Sequence, residues 1–142
     1  MYLWDANILR HFGEGHPTLR QHLLRVSWSE IALPSVVVAE VLRGRCDFAL
    51  KALPADAPMA HQRLMETRQM LTRFRVIVFD EGAAGVLMRL RSRHSSRKRY
   101  PDLMIAAMAE AGHHVVVTRN ESDFVDLLPK AQVANWIDNL PG

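Results

Sequence analysis

The sequence has few of the residues that build disulfide-rich, fibrous or membrane-embedded proteins. Its 142 residues include one cysteine, Cys46, which excludes a disulfide framework and a cysteine-based zinc site. Seven glycines and seven prolines are too few for a collagen-like chain or a long linker. No apolar run approaches the roughly 20 residues of a membrane helix, and we find no signal-peptide pattern. We therefore expect a cytoplasmic protein with no membrane association.

The remaining composition is that of an ordinary folded domain. Hydrophobic residues make up 49% of the chain and charged residues 23%, which is too apolar for a disordered protein. The length suits one domain, which we expect to span residues 1–142. The formal net charge of +3 permits a nucleic acid as partner without requiring one.

Short apolar runs alternate with helical patterns along the chain. Strands are predicted at residues 2–4, 30–33, 75–79, 115–117 and 132–135, and helices at 17–26, 36–50, 59–74, from 81 onward, and at 102–111. Ser35 and Asp80 are predicted helix caps. This order predicts an α/β domain with a mostly parallel sheet. Sites in such domains form at the carboxyl ends of the strands.

Acidic residues lie near those predicted strand ends. Asp5 ends the first strand, Glu40 lies on the helix after the second, Asp102 begins the helix before the fourth, and Asp123 follows the fourth. Glu40 stands inside the apolar run 36–42, where an ionised carboxylate costs several kcal/mol unless it is paired or bound to a metal.

Each of these acids also has a purely structural explanation. Asp5 can cap a helix that begins near Asn7, and Asp102 in a first helical turn gains about 0.3–1 kcal/mol from the helix dipole. Asp123 can interact favourably with the dipole of a short helix after Asn120 in the same way as Asp102. Several carboxylates at one place, however, repel each other, and a hard divalent cation such as Mg²⁺ or Mn²⁺ would stabilise them.

Four segments carry the acids in order: 2–9, 35–44, 101–107 and 116–124. Together they resemble a PIN domain and, within that family, the VapC-type ribonuclease toxins of bacterial toxin–antitoxin pairs. The resemblance extends from residue 1 to about residue 136 and implies a three-layer PIN-like fold in a single nuclease domain. Ala6 is a departure, because a serine or threonine is common at that position in the family.

The resemblance implies roles for particular residues. The carboxylates of Asp5, Glu40, Asp102 and Asp123 would bind Mg²⁺ or Mn²⁺ and carry the catalysis, while three polar residues border the site: Asn7, Thr118 and Asn120. The implied reaction is hydrolysis of RNA by a metal-activated water, which leaves a 5′-phosphate and a 3′-hydroxyl. The implied partners are a neutralising, VapB-like antitoxin and a second copy of the chain in a homodimer.

A basic run at residues 89–99 leads directly to Asp102. Most charge runs are solvated helix faces. Beside a nuclease site, this one favours RNA binding, with Arg97, Lys98 and Arg99 on phosphates and Tyr100 stacked on an unpaired base.

Two alternatives to a nuclease toxin exist. A phosphoacceptor receiver-like signalling domain would use Asp80, with Asp5 and Thr118 beside it, but this hypothesis leaves Glu40 and Asp102 unexplained. The first predicted strand also lacks the acidic pair typical of receivers, and no Lys-Pro follows the fifth. The other alternative is a catalytically silent PIN-like RNA-binding module, against which the complete acidic set argues.

Overall fold

The computed structural model describes residues 1–94 and 99–142. Strands and helices alternate along much of this chain, as the sequence predicts. In order they are β1 (Tyr2–Trp4), α1 (Ala6–Gly13), α2 (Pro17–Leu23), β2 (Ile31–Pro34), α3 (Ser35–Lys51), α4 (Ala57–Leu71), β3 (Arg75–Ile77), α5 (Glu81–Arg93), α6 (Tyr100–Gly112), β4 (Val115–Val117) and β5 (Val133–Ala134).

The strands form one sheet in the order β3-β2-β1-β4-β5, and every neighbouring pair is parallel. Successive residues of a strand point to opposite faces, so each strand contributes to two cores. Leu3 packs with α5 and α6 on one face, whereas Trp4 packs with α1, α2 and α4 on the other. The α/β fold with helices flanking a parallel sheet is therefore confirmed.

Some predicted boundaries shift by a few residues. β2 begins at Ile31, because Glu30 belongs to a preceding 3-10 turn whose cap is Ser27. β3 ends at Ile77, two residues before the predicted end. The prediction that Ser35 caps α3 is wrong: Pro34 occupies the cap position, and the Ser35 hydroxyl accepts a hydrogen bond of 2.9 Å from the Phe79 N–H.

The parallel sheet directs the ends of β1, β2 and β4 to the same edge. Asp5 follows β1 and caps α1, so its backbone position is fixed by both elements. α3 begins directly after β2, and α6 begins near this edge and packs against β4 and α3. Within the described residues, none of the helices is both long and apolar enough to cross a bilayer.

Candidate active site

A cavity of about 320 Å³ opens at the edge of the sheet where β1 and β4 end. All four acids that the sequence singles out line it, with two of the three predicted polar neighbours, Asn7 and Asn120. The remainder of the lining consists of Ala6, Arg10, Arg99 and Ile105. Side chains up to 118 residues apart in sequence, such as Asp5 and Asp123, therefore meet at one place.

Asp5 serves α1 and the cavity together. Its Oδ1 accepts a 3.0 Å hydrogen bond from the Ile8 N–H, which is the predicted helix cap. Burial raises the pKa of the Asp5 carboxyl; the Thr118 hydroxyl and two backbone N–H groups oppose the shift, and the charge of Asp123 adds to it. The carboxylate therefore lines the cavity while it accepts hydrogen bonds from the Thr118 hydroxyl and from backbone N–H groups of α1.

Glu40 projects from the second turn of α3 and is 28% exposed. Burial raises the pKa of its carboxyl, the Arg99 guanidinium opposes this, and the charges of Asp102 and Asp5 raise the pKa further. Arg99 Nη2 lies 3.3 Å from Glu40 Oε2. Glu40 is thus paired with a cation of its own chain while it feels the repulsion of two other acids.

The segment after β4 brings the fourth acid to the cavity. A 3-10 turn at Glu121–Asp123 follows the strand, and Phe124 behind it is only 1% exposed. This buried ring holds Asp123 at the cavity, whereas Glu121 is exposed and is not part of the cavity lining. Thr118 is fully buried below, and its Oγ1 accepts a 3.0 Å hydrogen bond from the Asn120 N–H.

The donor set fits a hard divalent cation. Four carboxylates and two side-chain amides offer oxygen ligands, which Mg²⁺ and Mn²⁺ prefer. Across residues 1–94 and 99–142, no three His, Cys, Asp or Glu side chains already form a set that would hold a metal ion. Asp102 and Asp5 repel the Glu40 carboxylate, which is paired with Arg99. The same repulsion would be relieved by a cation between them.

The predicted RNA contacts are only partly described. Arg97 and Lys98 lie outside the described residues. Arg99 and Tyr100 are exposed beside the acids, and the Arg91 guanidinium lies 4.9 Å from the centre of the Tyr100 ring.

The sequence interpretation did not include Arg10, which lines the cavity from α1. Its spacing was the available signal, because it lies one turn after Ala6 on the same helix face.

Asp80, the acid of the receiver hypothesis, lies elsewhere. Its carboxylate accepts a 2.9 Å hydrogen bond from the Ala83 N–H and caps α5 as predicted. It lines a different, smaller cavity of about 100 Å³ with Gly82 and His114 among its neighbours. Because β2 separates β3 from β1 in the sheet, Asp80 and Asp5 follow strands that are not adjacent. The geometry therefore does not support a receiver domain.

The fold and the acidic cavity agree with what comparison with known proteins finds. The family model of the PIN domain matches residues 2–127, and the chain belongs to the PIN domain family. A comparison with curated proteins finds no match. The resemblance that the sequence motifs carry is thus confirmed.

Similar solved structures include members of toxin–antitoxin systems. FitAcB from Neisseria gonorrhoeae is 25% identical, with 98% of this chain and 100% of that chain covered and a TM-score of 0.71. VapBC-5 from Mycobacterium tuberculosis, a member of the VapBC family, is 29% identical over 74% of this chain and 79% of that one, with a TM-score of 0.52. A toxin–antitoxin complex from Klebsiella pneumoniae is 23% identical, with 96% of this chain and 98% of that chain covered and a TM-score of 0.69. This chain is therefore similar to PIN domains of VapC-type toxin–antitoxin pairs.

Proposed function

We propose that this PIN domain is the toxin of a toxin–antitoxin pair and cleaves RNA with the help of Mg²⁺ or Mn²⁺. The observation that carries the proposal is the meeting of Asp5, Glu40, Asp102 and Asp123 around one cavity. Burial and like charge raise the pKa of Asp5 and of Glu40, which disfavours ionised carboxylates there unless a cation compensates them. A positively charged ligand would stabilise all four carboxylates in their ionised form.

The four carboxylates would hold the ion, which supplies a Lewis acid that polarises the phosphodiester and activates water. Arg10 and Arg99 place positive charge at the cavity, where they would bind and orient the RNA phosphates. Asn7 and Asn120 offer side-chain amides that can hydrogen-bond to substrate. The described lining contains no hydroxyl or thiol side chain, and we propose water as the nucleophile. The products would carry a 5′-phosphate and a 3′-hydroxyl.

A groove beside the acids supports an antitoxin partner. Its volume is about 720 Å³, it is lined from α1, α3 and α4, and it joins the acidic cavity at Ala6, Arg10 and Glu40. Phe48 and Met70 contribute apolar surface to it. We propose that a VapB-like antitoxin lies along this groove and offers an arginine to the carboxylates. We also propose a homodimer, for which exposed apolar side chains such as Met88, at 75%, offer contact surface.

Asp102→Asn tests the function most simply, because the amide is nearly isosteric but carries no charge. We expect purified wild-type chain with Mn²⁺ to cleave total bacterial RNA, and Asp102→Asn to lower the rate by about a hundredfold or more. Expression of the wild type should arrest growth, and the variant should relieve the arrest.

Asp56→Asn is the matched control, because Asp56 is exposed at the start of α4 and lies outside the acidic cavity. It should behave as wild type. Cleavage that persists in excess EDTA, or in Asp102→Asn, would contradict the metal mechanism. RNA binding without cleavage by the folded wild type would favour the silent RNA-binding module instead.

A further inference from the structure

The Arg99 side chain lies on the border between two cavities. With Glu40 it lines the acidic cavity, and the same two residues line a second cavity of about 450 Å³. The rest of that second cavity is formed by Arg43, Gly44, Asp47, Tyr100 and Pro101. We call this second cavity the Tyr100 cavity. The Arg99–Glu40 ion pair, at 3.3 Å, therefore lies where the acidic cavity and the Tyr100 cavity meet.

The Arg99–Glu40 ion pair can be replaced at little energetic cost. Glu40 is 28% exposed and Arg99 68%, and ion pairs with that much solvent access contribute little to stability. Arg99 occupies the cap position of α6 but makes no side-chain capping hydrogen bond there. Its guanidinium offsets part of the repulsion that Glu40 receives from Asp102 and Asp5. A divalent cation among the same carboxylates would do this more strongly and would repel the guanidinium.

We propose that Arg99 is an internal counter-ion of Glu40 which the divalent cation displaces, and that the released guanidinium then binds an RNA phosphate beside the Tyr100 cavity. The inference rests on the proposed metal-dependent function. Arg99 thereby links metal loading to RNA binding, because the acidic cavity gives up a positive charge when it gains a larger one. An arginine suits the second role, since its planar fork matches phosphate oxygens in a bidentate contact.

The Tyr100 cavity gives the released side chain a place to act. Tyr100 directly follows Arg99, and the residue is 46% exposed. One face of the ring lies under the Arg91 guanidinium at 4.9 Å. A base next to the contacted phosphate can stack on the remaining aromatic surface. Arg99 and Tyr100 thus form a neighbouring pair for one phosphate and one base.

A single substitution, Arg99→Ala, should strengthen Mn²⁺ binding and weaken RNA binding. Arg99→Ala removes the competitor for Glu40, so the variant should bind Mn²⁺ about two- to fivefold more tightly in the absence of RNA. The matched control is Arg43→Ala, which removes the same charge one helical turn from Glu40. Arg43 is exposed, pairs with Asp47 at 3.9 Å and does not line the acidic cavity. It should leave the Mn²⁺ affinity unchanged. Electron paramagnetic resonance of free Mn²⁺ measures both.

RNA binding should weaken in the same variant. Ca²⁺, another oxygen-binding cation, replaces Mn²⁺ so that binding of a fluorescein-labelled oligouridine is followed without turnover. Loss of one phosphate contact should reduce the slope of log affinity against log salt concentration by about 0.7 in Arg99→Ala. For RNA binding the control is Arg63→Ala, at an exposed position on α4 outside both cavities, which should retain the wild-type slope. A purely structural role of Arg99 would not change this slope.

The outcomes separate this inference from the proposed function. If wild type binds Mn²⁺ and Arg99→Ala binds it equally or more weakly, the counter-ion role is wrong while the metal site stands. An unchanged salt slope overturns the phosphate role. If the wild type binds no Mn²⁺, both the function and the inference fall. Should Arg99→Ala melt at a lower temperature than Arg43→Ala, Arg99→Gln provides the same comparison with a longer side chain retained.

Discussion

At the residue scale, a structural role and a chemical one coincide in a single side chain. Asp5 caps α1 through one oxygen and faces the other acids across the cavity. The sequence allowed either explanation, and the structure shows that capping does not remove Asp5 from the cavity. Glu40 differs, because its position in the apolar run 36–42 already indicated a need for a partner. The partner it has within this chain, Arg99, lies 59 residues away and no local pattern predicts it.

His11 is a second buried polar residue, on the opposite side of α1 from solvent. Neither of its ring nitrogens has a hydrogen-bond partner in the described part of the chain. Burial lowers the pKa of the imidazole, and the positive charges of Arg10 and His16 lower it further, whereas Glu14, 3.6 Å away, acts in the opposite direction. His11 therefore binds a proton less readily in the folded protein than in the unfolded chain.

This predicts a pH-dependent gain in stability for His11→Phe. As pH falls from the unfolded-state pKa of about 6.5 through the lower folded-state pKa, the unfolded chain binds a proton at His11 more readily than the folded chain does. The free energy of unfolding therefore decreases. Phenylalanine removes this loss and the unbonded nitrogens, which together should add about 1 kcal/mol at neutral pH and more at pH 5.5.

Thermal melts from pH 7.5 to 5.5 measure the difference. His61→Phe, at an exposed position on α4, is the control and should show no such trend. A melting difference between His11→Phe and wild type that stays constant or shrinks as pH falls would contradict a lowered pKa of the buried imidazole.

At the scale of elements, the 3-10 turn after β4 distinguishes three polar residues that the sequence places equally near the strand end. Asp123 and Asn120 line the cavity, and Glu121 is exposed outside it. We expect Asp123→Asn to weaken Mn²⁺ binding and cleavage by about tenfold or more. Asn120→Ala should cause a smaller loss, and Glu121→Ala should have almost no effect.

Parallel cleavage assays at limiting and saturating Mn²⁺ rank the three variants. Glu121→Ala is also the matched control, since it removes a carboxylate from the same turn. If Glu121→Ala proves the most damaging, Asp123 is not the fourth acid, and the roles proposed for Asp5, Glu40 and Asp102 are unaffected.

The elements themselves could be predicted where the pattern is local. β1 and β4 have the predicted bounds, because each is a run of three large apolar or aromatic residues that ends at a polar one. The Phe124 side chain is buried as its apolar character indicated. Ser35 was assigned wrongly, since its hydroxyl bonds to Phe79 across 44 residues and a helix-cap rule considers only neighbours.

At the scale of the whole molecule, strand order decides which residues meet. The sequence predicts that strand ends share an edge, but it does not give the order β3-β2-β1-β4-β5. That order places the residues after β4 next to Asp5 and brings Glu40 from the other side of β1. It also leaves Asp80 at the outer strand, which removes the receiver hypothesis. Long-range pairing of this kind depends on the packing of both cores.

Binding of a divalent cation in the acidic cavity is central to the proposed function, and a Mn²⁺ titration tests it directly. Titration of wild-type protein followed by electron paramagnetic resonance should reveal saturable Mn²⁺ binding. Asp102→Asn should weaken that binding by at least about tenfold, and the exposed Asp56→Asn should leave it unchanged. Equal Mn²⁺ affinity in all three proteins, or no saturable binding to the wild type, would contradict the assignment of this cavity as a metal-dependent active site.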